Sequence, residues 1–200
     1  MKKIHISMAL ALVFTLLITM TGFEARCDSI RSNVLRLHVL ANSDSDYDQA
    51  VKLAVRDRIL SECGDLFERV DGYDDALKQA ESNLPALCAS AQAQLREMGC
   101  DYPVSVEIAP TEFDTRVYDD VTLPAGEYTA LQVKIGQAQG KNWWCVCYPN
   151  LCIPAASQTK EVCEALNDGE AELVTNSGKY IMRFKVVEWY EQIKSRLKKG

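Results

Sequence analysis

Only two side chains in the 200 residues are imidazoles, and His5 lies in an apolar N-terminal run, so His38 is the one histidine placed to act as a base. A Ser-His or Cys-His hydrolase would have to use it with an acid and a nucleophile held in hydrogen-bonding reach. No nucleophile motif stands near it. His38 sits in VLRLHVLAN beside Arg36, on the strand face opposite Leu35, Leu37 and Val39. A hydrogen-bonded histidine at a strand-helix junction is the leading reading, and an exported cell-envelope hydrolase using His38 is the alternative.

Asn42, Asp44, Asp46 and Asp48 alternate like the first ligands of a calcium loop. Such a loop needs Gly at its sixth position and a bidentate Glu at its twelfth. From Asn42 those places hold Tyr47 and Leu53, and from Asp44 they hold Gln49 and Val55. Helix capping is the better reading: Ser45 with Asp48 three residues on resembles a capping box, and Asp46 and Asp48 suit the positive end of a helix dipole. Asp48, Lys52 and Arg56 then follow at four-residue steps, a ladder that is usually a solvated face and could equally be a recognition stripe. No metal and no cofactor are expected.

Eight cysteines include the pair Cys145 and Cys147 and, seven residues after the first, Cys152. Neither a zinc pattern with a fourth ligand nor a C-x-x-C redox motif is present. Cys145 and Cys152 flank a short loop that a disulfide would close, and buried free thiols are the alternative. Trp143 and Trp144 stand beside that loop with Tyr148. Adjacent strand residues face opposite ways, so one indole is expected in the core and the other partly exposed as an interface anchor.

These residues need elements to hold them. Alternating Leu35, Leu37 and Val39 read as a half-buried strand. Val51, Ala54, Val55 and Ile59 give a helix running to Gly64. A second helix is expected from about Asp74 to Met98, kinked or split at Pro85 and ended by Gly99. Tyr102 to Pro110 reads as a strand, and the two β-prone runs ending at Gly136 and starting from Gly140 read as a hairpin. The end of the chain could open as a strand at KYIMRF and closes as an amphipathic helix with Trp189, Ile193 and Leu197. Strands clustered after paired helices argue for α+β: one domain, a mixed or antiparallel sheet, two or three helices packed on one face.

Net charge is −6, and the leader contributes positive charge, so the body is more acidic still. That argues against nucleic acid as a partner and leaves membrane contact to the N-terminal segment. MKK before the apolar run from Met8 to Met20 reads as a secretory signal. The stretch from Ile4 to Phe23 approaches the length of a membrane span, and Thr19-Met20-Thr21 is a mediocre cleavage site, so cleaved signal and uncut anchor both stand. Arg26 before Cys27 excludes lipidation there. The expected organisation is an export segment over 1–25, a core domain over 30–154, and an acidic segment with the C-terminal strand and helix over 155–200 packing on the same domain.

LRLHVLANSDSDYDQAVKLAVRDRIL (Leu35 to Leu60) and LPAGEYTALQVKIGQAQGKNWWCVCYPNLC (Leu123 to Cys152) resemble the two signature regions of the stage II sporulation protein R family. The resemblance implies a protein made in the forespore and exported into the space between forespore and mother-cell membranes. There it would activate a membrane-bound aspartic protease that matures the precursor of sigma-E, as a signal and not as an enzyme. The positions carried over include His38, Asn42, Asp44, Asp48, Lys52 and Arg56 in the first region, and Gly136, Gly140, Trp143, Trp144, Cys145 and Cys152 in the second. Together with Tyr148, several of these form the expected contact surface for the protease. Cys147 stands where a bulky apolar residue is usual, and it could compete for the Cys145 to Cys152 pairing.

Overall fold

The computed structural model describes residues 2–67, 69–118, 121–149 and 164–199. The element order is α1 (Lys2–Ser32), β1 (Leu35–Leu40), α2 (Asp46–Leu66), α3 (Tyr73–Glu97), β2 (Val104–Phe113), β3 (Arg116–Tyr118), β4 (Val121–Leu123), β5 (Gly126–Ile135), β6 (Asn142–Tyr148), α4 (Asp168–Thr175) and α5 (Ile181–Lys199). This is an α+β domain on a mixed four-stranded sheet of order β2-β5-β1-β6, with β3 and β4 forming a separate two-stranded ribbon.

β5 and β6 are not a hairpin. β1 lies between them, parallel to β5 (Leu37 opposite Leu131) and antiparallel to β6 (Leu37 opposite Cys145). The turn from Gly136 to Lys141 therefore bridges two strand spacings, roughly 10 Å, over the C-terminal end of β1. A Gly-bounded loop of this length serves either geometry, and the sequence carries no mark of the strand that threads beneath it.

Being central, β1 is buried on both faces, with only Leu40 partly exposed. Leu35, Leu37 and Val39 join Leu131, Val133 and Ile135 under α2 and α3, against Val51, Val55, Ile59, Leu87, Ala91 and Leu95. Paired helices on that face match the expectation. The opposite face is covered as well: Phe23, Cys27 and Ile30 of α1 pack with Tyr128, Val146, Leu173, Phe184 and Val187. Residues that read as a linker after the leader are thus the last two turns of α1, and their spacing of four and three lines one helical face. Among the described residues no helix is long and apolar enough to cross a membrane.

Two local expectations change. Pro85 lies inside α3, which continues to Glu97 without splitting. KYIMRF does not open as a strand. A 3-10 turn (Ser177–Lys179) leads into α5, because Phe184, Val187 and Glu191, at helical spacing, are the positions that pack inward.

Candidate functional site

The turn that ends β1 is built around one carboxylate. Ser45 caps α2 by accepting the backbone N–H of Asp48 at 3.2 Å. The Asp48 carboxylate also accepts Asn42 Nδ2 at 2.8 Å and Ser43 Oγ at 2.5 Å. Asp48 is buried. The Ser43 hydrogen bond, with those of Asn42 and Ser45, holds its carboxyl below the usual range against the opposing effect of burial.

The same turn grips the β5–β6 connection. Asn42 Oδ1 accepts the N–H of Gln137 at 2.9 Å, and Asp44 Oδ1 accepts that of Lys141 at 2.6 Å. Gly140 N–H donates to the Ala41 carbonyl at 2.9 Å. Two glycines make this approach possible. A Cβ on Gly136, where φ is +57°, would stand 2.3 Å from Asn42 Oδ1, and one on Gly140 would stand 2.1 Å from the Ser43 carbonyl oxygen.

Lys52 completes the clasp, donating to Gln49 Oε1 at 2.6 Å and to the Lys141 carbonyl at 2.9 Å. Its burial and the nearby Arg56 push the ammonium pKa down. The Asp48-Lys52-Arg56 series is thus no solvated ladder. Two of its members are buried braces, and the third leans its guanidinium over the Trp143 ring at 4.2 Å. Asp44 is exposed, and Arg56 also pairs with the exposed Asp57.

His38 and Trp144 meet on the opposite face. Their rings stack with centroids 3.9 Å apart and planes 11° from parallel, and Phe113 stands edge-on to the indole at 4.8 Å. Burial pushes the imidazole down to about 4, although the neighbouring Asn142 side chain favours its protonated form. Neither ring nitrogen reaches hydrogen-bonding geometry with any partner. The expected hydrogen-bonded histidine is instead a neutral packing ring, and among the described residues no acid or nucleophile is hydrogen-bonded to it as hydrolysis requires.

Both tryptophans are half-buried, one on each side of β6, in place of one core and one surface indole. Tyr148, also half-buried, lies edge-on to Phe67. Cys147 is a buried free thiol whose sulfur lies 3.8 Å from that of Cys63, whereas Cys145 is not among the free thiols. Cys152 lies outside the described residues, and so does any pairing with it. Among the described residues no group of three or more His, Cys, Asp or Glu side chains is placed to hold a metal ion.

Sequence reasoning passed over Arg36. It is fully buried with no carboxylate partner among the described residues, donating to the Cys145 carbonyl at 3.0 Å and to the Tyr118 hydroxyl at 2.7 Å. Its guanidinium lies 4.0 Å from the Phe113 ring centroid and 4.9 Å from that of Tyr128. The ring quadrupoles take the place of a counter-ion. A strand arginine amid apolar alternation, with LPAGEYTA supplying Tyr128, was the available signal.

Residues 31–158 match the family model described as stage II sporulation protein R. A curated protein of Bacillus subtilis (strain 168) named stage II sporulation protein R is 36% identical over 123 residues, which are 62% of this chain and 55% of that protein. The chain thus spans about half the length of that curated relative. No solved structure matches.

Proposed function

Because the chain belongs to the stage II sporulation protein R family, we propose that it is an exported, non-catalytic signal of endospore formation. Made in the forespore, it acts in the space between the two membranes and switches on the membrane-bound aspartic protease that processes precursor sigma-E. The observation that carries the reading is the clasp. Both signature regions, about 100 residues apart in sequence, spend their polar side chains on each other: Asn42 on Gln137, Asp44 on Lys141, Lys52 on the Lys141 carbonyl. A catalytic site would keep such groups free for a substrate. Here they fix the shape of one edge of the domain, which suits a surface presented to a partner.

Within that edge the partner contact falls on Asp44, Arg56 and Trp143, which keep exposed or half-exposed surface, and not on Asp48, which is buried. His38 and Trp144 belong to the other face and support the edge from behind. Deleting the gene in the source organism tests the reading. Precursor sigma-E should accumulate unprocessed in the mother cell, and normal processing would refute it.

A further inference from the structure

The C-terminal helix α5, which lies beyond the family match, carries an apolar stripe on its outer side. Met182, Val186, Trp189, Ile193 and Leu197 follow one another at steps of four, three, four and four residues, and all are exposed, from 40% for Ile193 to 78% for Met182. At about 100° per residue these five fall within one quadrant of the helix. Phe184, Val187 and Glu191 occupy the opposite side and are 3%, 1% and 4% exposed, so the core has no use for the stripe. An isolated exposed apolar residue needs no explanation, but a continuous row does.

The charges are arranged around it. Arg183 and Lys194 flank one border of the stripe and Lys185 and Arg196 the other, while Glu188 and Glu191 lie toward the packed side. In a chain of net charge −6, this helix holds six basic residues against two acidic ones. Lys185 and Lys194 each pair with one of those glutamates at 3.1 Å, which leaves an excess of cations along both borders.

The helix also has a fixed neighbour. Phe184 and Tyr180 pack on Phe23, with ring centroids 5.4 and 6.0 Å away. Phe23 follows closely on the apolar run of α1, whose Met8, Leu10, Phe14 and Ile18 are exposed. The packed side of α5 is thus anchored on the same helix that carries this exposed apolar run.

We propose that α5 is an interfacial helix that lays its Trp189 stripe into the headgroup region of an anionic lipid bilayer, next to the surface held by the N-terminal segment. Trp and Tyr prefer the depth where acyl chains meet headgroups, and long basic side chains reach from there to phosphate. Anionic lipid complements both basic borders at once. A second copy would bring two cation-bordered stripes against each other and is disfavoured for that reason. The acidity of the body argues against lipid contact outside the leader, but this helix carries a local excess of six basic residues over two acidic ones.

The N-terminal segment would hold the full-length chain on vesicles by itself, so the test reads α5 alone. Full-length protein and its Trp189→Phe variant are mixed with phosphatidylcholine vesicles, with and without phosphatidylglycerol, whose acyl chains are brominated near the headgroup. Co-sedimentation and circular dichroism accompany each sample. A quenched emission component should be present in the parent, absent in W189F, and about tenfold more populated with phosphatidylglycerol at limiting lipid. The R183Q/K185Q/K194Q/R196Q variant should lose that lipid preference while keeping its helix content. Sedimenting protein whose quenching is unchanged by W189F would overturn the proposal and place the stripe against a protein. So would protein that fails to sediment. Neither result bears on sigma-E processing, which is read separately.

Discussion

The imidazole of His38 lies flat on the indole of Trp144, 3.9 Å between centroids, so that the first signature region touches the second through a buried ring stacked on a half-buried one. The contact has a consequence for pH. Burial holds the ring down to about 4, whereas the unfolded ring titrates near 6.5. Between those values the unfolded chain binds a proton that the folded chain refuses, so stability is full above about pH 6.5 and is lost as pH falls toward 4. The loss is at most about 3 kcal/mol and smaller to the extent that water reaches the ring. Urea unfolding at pH 7 and pH 5 should show it, and His38→Phe, which keeps the stack, should flatten the slope. A slope unchanged in H38F would contradict the assignment.

The turn-to-turn clasp depends on the absence of two side chains. Gly140→Ala drives a methyl group into the Ser43 carbonyl, a backbone atom that cannot step aside, and should cost more than about 2 kcal/mol in urea unfolding. Gly136→Ala meets the Asn42 side chain and adds a positive φ. Part of its cost should vanish in an Asn42→Ala background, where the obstructing amide is gone. Additive costs at Gly136 and Asn42 would mean that the two do not touch.

Arg36 holds a buried charge with aromatic rings in place of an acid. Arg36→Lys keeps the charge but loses the planar stack and the donors to Cys145 and Tyr118, and should destabilise by about 2–4 kcal/mol. Arg36→Met fills similar volume without a charge to desolvate and should cost less than the lysine variant, as thermal unfolding of both can decide. The reverse order would show that the rings favour a cation of either shape and that the planar fork of Arg36 matters less than its charge.

For the cysteines we expect Cys145 bonded to Cys152 in protein folded under oxidising conditions, with Cys147 left as a thiol. Cys147 is a buried thiol with its sulfur 3.8 Å from that of Cys63, a placement that favours its staying out of the loop. Peptide mapping of the alkylated, non-reduced chain should recover a 145–152 cross-link. A link from Cys147 to either would refute this pairing.

Much of the fold could be read from spacing alone. The apolar alternation of Leu35, Leu37 and Val39 and the four-residue rhythm of α2 and α3 each report a single buried face, and a periodic pattern makes that visible. What escaped reading depended on contacts between distant segments. Nothing in the run from Gly136 to Gly140 says that β1 passes beneath it, because a loop's length bounds the distance it spans and not what lies in between. Arg36 and His38 occupy polar-looking positions of an alternating strand. They are buried because Cys27 and Ile30, which follow the leader and read as a linker, belong to α1 and pack over that face. At the candidate site, Asp48, Lys52 and Arg56 were recognised as a set, but a ladder on a solvated helix face and a brace between two turns have the same spacing.

We propose that this chain activates another protein's proteolysis and performs none itself. Co-expressing the chain, the membrane-bound aspartic protease and precursor sigma-E in a host that does not sporulate tests it most directly. Processing should require all three, vanish when the protease's aspartates are replaced, survive His38→Phe, and fall at least about tenfold with Arg56→Ala or Trp143→Ala in protein whose melting temperature is retained. Processing of the precursor by this chain in the absence of the protease would contradict the account.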